Sequence, residues 1–332
     1  MLTVISDTHI GTVRSSGTTL ASQAALTAYI HESFRNLLPD SDLMILGDAF
    51  DKAEVPLSDL LETYTTLSTW LSKGYHLYAI SGNHDDHRTT GKLSSFDMLG
   101  CLLTREYPNT VTIVKGGGAM TPYGYVISHM PNQAMFDAEL VKVPECNVLF
   151  LHCNYNNFFA AQSDQSLNIS KEQVEACKAK KIVIAHEHVK KADGKVTLPG
   201  NQIPTSISDW QGCDAKYRTA VTHEGAVTLE FVKLKHENYI EQPWSSPVIT
   251  DHKFVKLVGT ATAEQAAQVV SAVAKFRAIS TAFVVANGVQ ISSESGVEGF
   301  DESLESVRSF DVMSALGELL SRDEMTVLKE LQ

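Results

Sequence analysis

The sequence predicts an α/β (α+β) protein in which two packed β-sheets are flanked by helices, followed by a small α+β capping domain and a C-terminal helix. Three observations carry that expectation. Short apolar runs of strand length alternate with helix-period stretches over the first hundred residues, which implies a parallel sheet with crossover helices. From Thr110 onward strand-like runs crowd together, which implies a second sheet packed on the first. After residue 236 the composition shifts and one further strand-helix-strand unit follows.

Size and composition set the frame. The chain has 332 residues, 43% hydrophobic and 20% charged, which is ordinary for a globular protein with one large and one small domain. No apolar run approaches the roughly 20 residues that cross a bilayer. The start, MLTVISDTHIG, lacks the basic region and long apolar core of a secretion signal. The five cysteines (Cys101, Cys146, Cys153, Cys177 and Cys213) are scattered, with no CxxC pair. That pattern argues against a disulfide framework and a zinc ribbon, and fits a reducing, cytoplasmic compartment. The net charge of −12 speaks against nucleic-acid binding through the field of the whole chain. Positive charge at a site would have to be local, or come from metal ions or a partner.

Leu2–Ser6 reads as a strand that ends in Asp7-Thr8-His9. Thr18–Leu38 has helical spacing of Leu20, Ala24, Ala28, Phe34, Leu37 and Leu38, and Pro39 stops it. Asp42–Leu46 is a near-continuous apolar strand, as in a sheet covered on both faces, and ends in Gly47-Asp48-Ala49-Phe50-Asp51. Leu57–Lys73 is a helix with Gly74 at its C-cap. The strand Leu77–Ile80 breaks at Gly82 into Asn83-His84-Asp85, and Lys92–Leu103 is again helical. Val111–Val114 and Tyr123–Ser128 are strands, the second ending at His129. Between them, Gly116-Gly117-Gly118 reads as a flexible turn, because neither a Lys-Ser/Thr pair nor a helix follows to make a phosphate cradle.

The strand Asn147–Leu151 ends at His152, Ile169–Ala179 is helical, and the strand Lys181–Ala185 ends in His186-Glu187-His188. Thr197–Pro199, Ile203–Ser208, Tyr217–Thr222 and Ala226–Leu234 read as short strands of the second sheet. His236–His252 reads as a linker. Phe254–Val258, Ala263–Ile279 and Thr281–Ala286 form the strand-helix-strand unit, with Ala267, Val270, Val273 and Ala274 as the packing face of its helix. An acidic loop over 292–305 precedes an amphipathic helix over 307–331. The expected boundaries are 1–235, linker 236–252, capping domain 253–300 and helical tail 301–332.

Five strand ends therefore carry donors: Asp7 and His9, Asp48, Asn83 and His84, His152, and His186 and His188. One histidine alone is usually structural. So many polar groups at the ends of apolar strands are hard to explain by packing, since each unpartnered one costs about 1–3 kcal/mol. Two carboxylates, one amide oxygen and four imidazoles, without a thiolate, suit manganese, iron(II) or zinc. Seven donors are too many for one ion. Shared through Asp48 they make two shells, and two ions about 3.5–4 Å apart clamp a phosphoryl group and activate a water between them.

In order along the chain, DTH, GDAFD, GNHD, LHCN and AHEH resemble the five signature motifs of the calcineurin-like metallophosphoesterases, over about residues 1–235. Within that superfamily the tight DTH start, the GDxF element and the small trailing domain are most similar to the SbcD-type nuclease of double-strand-break repair and recombination. The resemblance implies that Asp7, His9 and His188 hold one metal, that Asn83, His152 and His186 hold the other, and that Asp48 bridges them. It implies two divalent ions, Mn2+ first and Fe2+, Zn2+ or Mg2+ as alternatives. His84 would donate a proton to the leaving oxygen, and Asp85 would orient His84 or a ligand. The implied activity is exo- and endonucleolytic hydrolysis of DNA phosphodiesters, with an SbcC-type ATPase docked through the C-terminal tail and a homodimer as a further option.

Two departures stand out. Asp51 replaces the histidine usual in the nucleases, so cleavage of phosphodiesters is implied more strongly than exonuclease action on DNA ends. Ala185 replaces the glycine of GHxH, where a methyl group need only fit. The alternative activity is a phosphatase or phosphodiesterase for a small molecule or phosphoprotein, and a third reading is a non-enzymatic metal scaffold. Other residues weighed as substrate contacts are His129, His87 and Arg88, the run Asn154–Phe159 as a base-stacking surface, and Gly200, Asn201, Gln202, Lys216, Tyr217 and Arg218 for a phosphate backbone.

Overall fold

A computed structural model of the chain describes residues 1–13, 20–87, 92–157, 166–210, 215–232 and 239–292. The first sheet grows from four parallel strands in the order β1 (Leu2–Ile5), β2 (Asp42–Leu46), β3 (Leu77–Ile80) and β4 (Val111–Val114). Helices α1 (Leu20–Leu37), α2 (Leu57–Leu71) and α3 (Ser95–Glu106) connect them. The pleat sorts their side chains by parity. Ile5, Leu43, Ile45, Leu77 and Ala79 pack with Ile30, Phe34, Leu67, Trp70, Phe96 and Leu103 of the helices. Leu2, Val4, Met44, Leu46, Tyr78 and Ile80 face the other way, into the space between the sheets.

The second sheet has the order β11 (Lys191–Asp193), β12 (Val196–Leu198), β10 (Lys181–Ala185), β7 (Val148–His152), β6 (Gly124–Ile127) and β5 (Gly118–Thr121). Val126, Val148, Phe150 and Val183 meet the first sheet. Ile127, Leu149, Leu151, Ile182 and Ile184 face outward and pack with Phe136 of α4 (Gln133–Leu140) and Val174 of α5 (Lys171–Ala176). Each such fully buried side chain is worth about 1.5–3 kcal/mol over an exposed one. Parallel register aligns the strand ends. Ile5 pairs with Ile45, Leu46 with Ile80, and Ala185 with His152. The loops that follow β1, β2, β3, β7 and β10 therefore leave at the C-terminal edges of the strands, where open α/β sheets build their sites.

Several elements differ from the sequence reading. Helix α3 starts at Ser95 because Ser94 caps it: Ser94 Oγ accepts from the Asp97 amide (3.2 Å) and Asp97 Oδ2 accepts from the Ser94 amide (2.8 Å). Gly118, expected in a flexible turn, opens the edge strand β5. The stretch Ile169–Ala179 divides into the short strand β9 (Asn168–Ile169), paired with β8 (Asn154–Tyr155), and α5, which Ser170 caps. Ile203–Ser208 is not a strand. Two of its amides, those of Thr205 and Ser206, donate to Asp209 Oδ2 (2.8 Å each) instead of to a ladder. β13 (Lys216–Val221) and β14 (Val227–Val232), expected in the second sheet, extend the first, with β13 antiparallel to β1.

The stretch 236–252 carries the strand β15 (Tyr239–Pro243), parallel to β16 (Phe254–Thr262) in a three-stranded sheet with β17 (Val284–Ser292). Helix α6 (Ala266–Ile279) buries Val269, Val273 and Phe276. Val270, expected on that face, is 65% exposed. Phe254 and Phe283 pack on Tyr29 of α1, with ring centroids 6.5 and 5.4 Å away. Met1–Gly259 and Ala267–Gln290 form one compact unit. The expected C-terminal helix over 307–331, the acidic loop from 293 on, Arg88, Phe158, Phe159 and Cys213 lie outside the described residues. No described helix is long and apolar enough to cross a membrane.

Candidate active site

The loops after the strand ends bend sharply. Asp7, His9, Asp48 and His186 have φ of 51°, 44°, 48° and 97°, in the left-handed region that non-glycine residues rarely enter. Such strain persists only where the surroundings impose it, and it gathers at functional sites. Backbone bonds lock the bends together: the Asp7 amide donates to the Gly47 carbonyl (3.1 Å), and that of His9 to the Asp48 carbonyl (3.2 Å). Asp85 ties two loops with one carboxylate. Its Oδ2 accepts from the amides of Ala49 (3.2 Å) and Gly82 (2.9 Å), and its Oδ1 from that of Phe50 (2.9 Å). It is fully buried; burial first, then the charge of Asp48, pushes its carboxyl up to about 7.

Three donor groups form among the described residues, and one of them, His9, Asp51 and His84, shares His9 with another. Asp7, His9 and His188 bring one ligand atom each within 4.8 Å of one another, and so do Asp48, His152 and His186. Asn83 joins the second group, its Oδ1 3.2 Å from His152 Nε2. The His186 amide donates to Asp7 Oδ2 (3.3 Å), which links the two groups.

The donor chemistry asks for cations. His152 Nδ1 donates to the Leu46 carbonyl (2.9 Å), so its Nε2 carries the lone pair. That Nε2 faces Asp48 Oδ2 and Asn83 Oδ1, both at 3.2 Å. Three acceptors cannot converge without a proton or a metal ion between them. In the metal-free protein the proton wins: burial lowers the imidazole, but the charge and hydrogen bond of Asp48 outweigh it and raise it to about 10. Burial likewise pushes Asp48 up, but His152, His9 and His84 hold its carboxyl well below the usual range. In the other group the Nε2 atoms of His9 and His188 lie 3.2 Å apart, and Asp7 Oδ1 is buried without a hydrogen-bond partner. The residues present thus fit a dinuclear metal centre.

Outer partners aim the ligands. His188 Nδ1 donates to Asp209 Oδ1 at 2.6 Å. His9 Nδ1 faces Asp51 Oδ1 at 3.6 Å, and Asp51 Oδ1 in turn accepts from Thr12 Oγ1 (2.7 Å). A histidine held as His188 is keeps one tautomer and one ring orientation. His84 is in neither the Asp7 group nor the Asp48 group, but it groups with His9 and Asp51. Its amide donates to Asp48 Oδ1 (2.9 Å), its Nδ1 donates to the Asp51 carbonyl (2.6 Å), and its ring meets His9 edge-on at 5.0 Å. His129 lies two residues past the end of β6, with its amide on the Ser81 carbonyl (3.0 Å). Burial and then His152 lower its imidazole to about 4.

Other expected contacts turn inward. Tyr155 is buried and donates to Asp193 (2.8 Å), so it offers no stacking surface. Arg218 is engaged by Glu230 (2.9 Å) and the Leu37 carbonyl (3.3 Å), and His87 by Glu54 (3.1 Å). Gln202 is buried; its Oε1 accepts from the Ser6 amide (2.7 Å) and props the loop that carries Asp7. Lys216 is 2% exposed and cannot reach a backbone phosphate. The sequence reading missed Asp209, because nothing in the run SISDW marks a histidine partner 21 residues away.

A two-sheet α/β sandwich with clustered aspartates and histidines at its strand ends defines a metallophosphoesterase, a metal-dependent hydrolase of phosphoester bonds. Residues 1–190 match the calcineurin-like phosphoesterase family, and the chain belongs to it. No curated protein matches the chain. Among solved structures, the phosphopantetheinyl hydrolase of Mycobacterium tuberculosis is similar at 14% identity, covering 64% of this chain and 92% of that one, with a TM-score of 0.37.

Proposed function

We propose that this enzyme hydrolyses phosphodiester bonds at a pair of divalent ions, with DNA as its substrate. The observation that carries the reading is His84. It sits against His9 and beside Asp48, it is in neither of the two groups we assign to the ions although it clusters with His9 and Asp51, and its Nδ1 is spent on the Asp51 carbonyl. Its Nε2 is the nitrogen left to move a proton. A diester expels an alkoxide, which leaves well only when protonated, and an imidazole suits that task near neutral pH.

Asp7, His9 and His188 would hold one ion; Asn83, His152 and His186 would hold the other; Asp48 would touch both. Bound there, the ions supply positive charge for the phosphoryl oxygens and an activated water, and manganese fits the mixed nitrogen and oxygen donors. The chain's own residues fix the donors in place and deliver the proton from His84. Asp85 acts from behind, by holding the loops of Asp48 and His84 together. The order of the five motifs and the trailing three-stranded sheet support DNA over a small substrate. With a net charge of −12, attraction of a polyanion rests on the ions or on a partner, and an SbcC-type ATPase is the partner we propose.

One observation favours a second reading, a phosphatase for a monoester on a small molecule or protein. Asp51 stands where the nucleases carry histidine, and its carboxylate serves Thr12 and faces His9. The test is digestion of end-labelled linear and of circular DNA with manganese, with and without a candidate ATPase, beside hydrolysis of bis(p-nitrophenyl) phosphate and of the monoester. DNA cleavage and preference for the diester support the first reading. Intact DNA together with preference for the monoester replaces it with the second.

A further inference from the structure

We propose that the buried Lys216 is a positioning residue for the metal-binding face of His188, acting through a closed ring of hydrogen bonds. The ring has four members. His188 Nδ1 donates to Asp209 Oδ1 at 2.6 Å, and the Asp209 carbonyl accepts from Lys216 Nζ at 2.6 Å. Lys216 Nζ donates to Asn201 Oδ1, also at 2.6 Å, and the Asn201 amide returns to the His188 carbonyl at 3.3 Å. His188 is thus held by side chain and main chain at once, and both holders depend on one ammonium group.

An ammonium group this deep is costly unless its protons are matched, so a lysine at a 2% exposed position calls for a reason. Its bonding supplies one. Asp209 divides its acceptors, with Oδ1 for His188, Oδ2 for the amides of Thr205 and Ser206, and the carbonyl for Lys216. Burial pushes the Asp209 carboxyl up, but its bonds to His188 and these amides hold it well below the usual range. Lys216 takes the Asp209 main-chain carbonyl and so does not compete for the carboxylate oxygen that His188 needs. Held by the ring, His188 directs its Nε2 toward His9 Nε2 (3.2 Å) and Asp7 Oδ1 (4.0 Å). The other donor group is anchored differently, with His152 bonding straight to the Leu46 carbonyl. Loss of Lys216 is therefore felt by one ion and not by its neighbour.

The inference rests on the two-ion reading, and the experiment separates the two. Full-length protein, stripped of metal, is titrated with manganese while bound ions are counted and their affinities measured by calorimetry. Wild type binding two ions upholds the earlier reading; wild type binding one overturns it and this proposal together. With two bound, Lys216→Met, which keeps the stem and removes the charge, weakens one ion by about 10- to 100-fold and leaves the other within about twofold. Electron paramagnetic resonance then shows an isolated ion where wild type shows a coupled pair. Asn201→Ala opens the ring at another member and weakens the same ion, and it carries the test should Lys216→Met fail to fold. Two affinities unchanged in both variants, or lowered equally, overturn the assignment of Lys216 and leave the two-ion reading standing.

Discussion

His152 presents Nε2 to the Asp48 carboxylate at 3.2 Å while its Nδ1 is committed to the Leu46 carbonyl. The pair traps a proton when no metal is present, since the imidazole is raised to about 10. An ion needs the same lone pair, so metal and proton compete. With Asp48 holding the imidazole well above its ordinary range, the site keeps a proton at neutral pH without an ion, and binding must expel that proton. Manganese binding at pH 8 is expected to release about one proton per chain from this site, and affinity is expected to rise with pH by up to about tenfold per unit. Titration calorimetry in two buffers of different protonation heat measures the release. Binding without release would contradict the placement of the ion at His152.

His84 lies outside both proposed ion shells. His84→Ala is expected to lower kcat for a diester by about 10²–10⁴-fold with both ions still bound. Its backbone bond to Asp48 survives the change. A leaving group that needs no protonation, such as p-nitrophenolate, should lose less. Equal losses for all substrates, or lost ions, would remove the proton-donor assignment.

Gly82 leaves no room for a side chain. A Cβ there would stand 2.2 Å from Asp48 Oδ1 and 2.5 Å from the Asp48 amide nitrogen. Gly82→Ala is expected to displace the shared carboxylate, weaken both ions and cost about 1–3 kcal/mol of stability. Gly117→Ala, with nothing within 4 Å, is the silent control. Metal titration and urea unfolding of the two variants make the comparison, and a Gly82→Ala protein that binds ions normally refutes it.

Asp85 accepts from three amides and has no donor to offer while ionised. Asp85→Asn turns an NH2 group toward at least one of those amides. The expected cost is about 1–3 kcal/mol by urea unfolding, together with weaker ion binding, because the loops of Asp48 and Asn83 lose their common tie. Wild-type stability in this variant would rule out the tie.

The candidate donors were readable because a run such as Leu43–Leu46 or Ile182–Ala185 is apolar throughout and a polar side chain follows within two residues. The parallel crossovers were readable from the alternation of periods. What misled was local pattern without its partner. Ile203–Ser208 has strand composition, yet Asp209 takes its amides. Lys216 and Arg218 read as surface cations, yet one is buried on Asp209 and Asn201 and the other meets Glu230 and α1. Val270 and Val273 share an apolar helix, and only the packing of α6 decides that Val273 is the buried one.

By itself the sequence determined the alternation of strands and helices over the first hundred residues and pointed to candidate donors, because periodicity and strand endings are properties of neighbouring residues. The tertiary structure alone decided which donors lie together, which strands share a sheet, and what stands behind each donor. His152 is anchored by Leu46, His188 by Asp209 and Lys216, and Ser6 by Gln202, across as many as 196 residues of chain. Bonds of that kind depend on where the folded chain returns, and no local pattern records it.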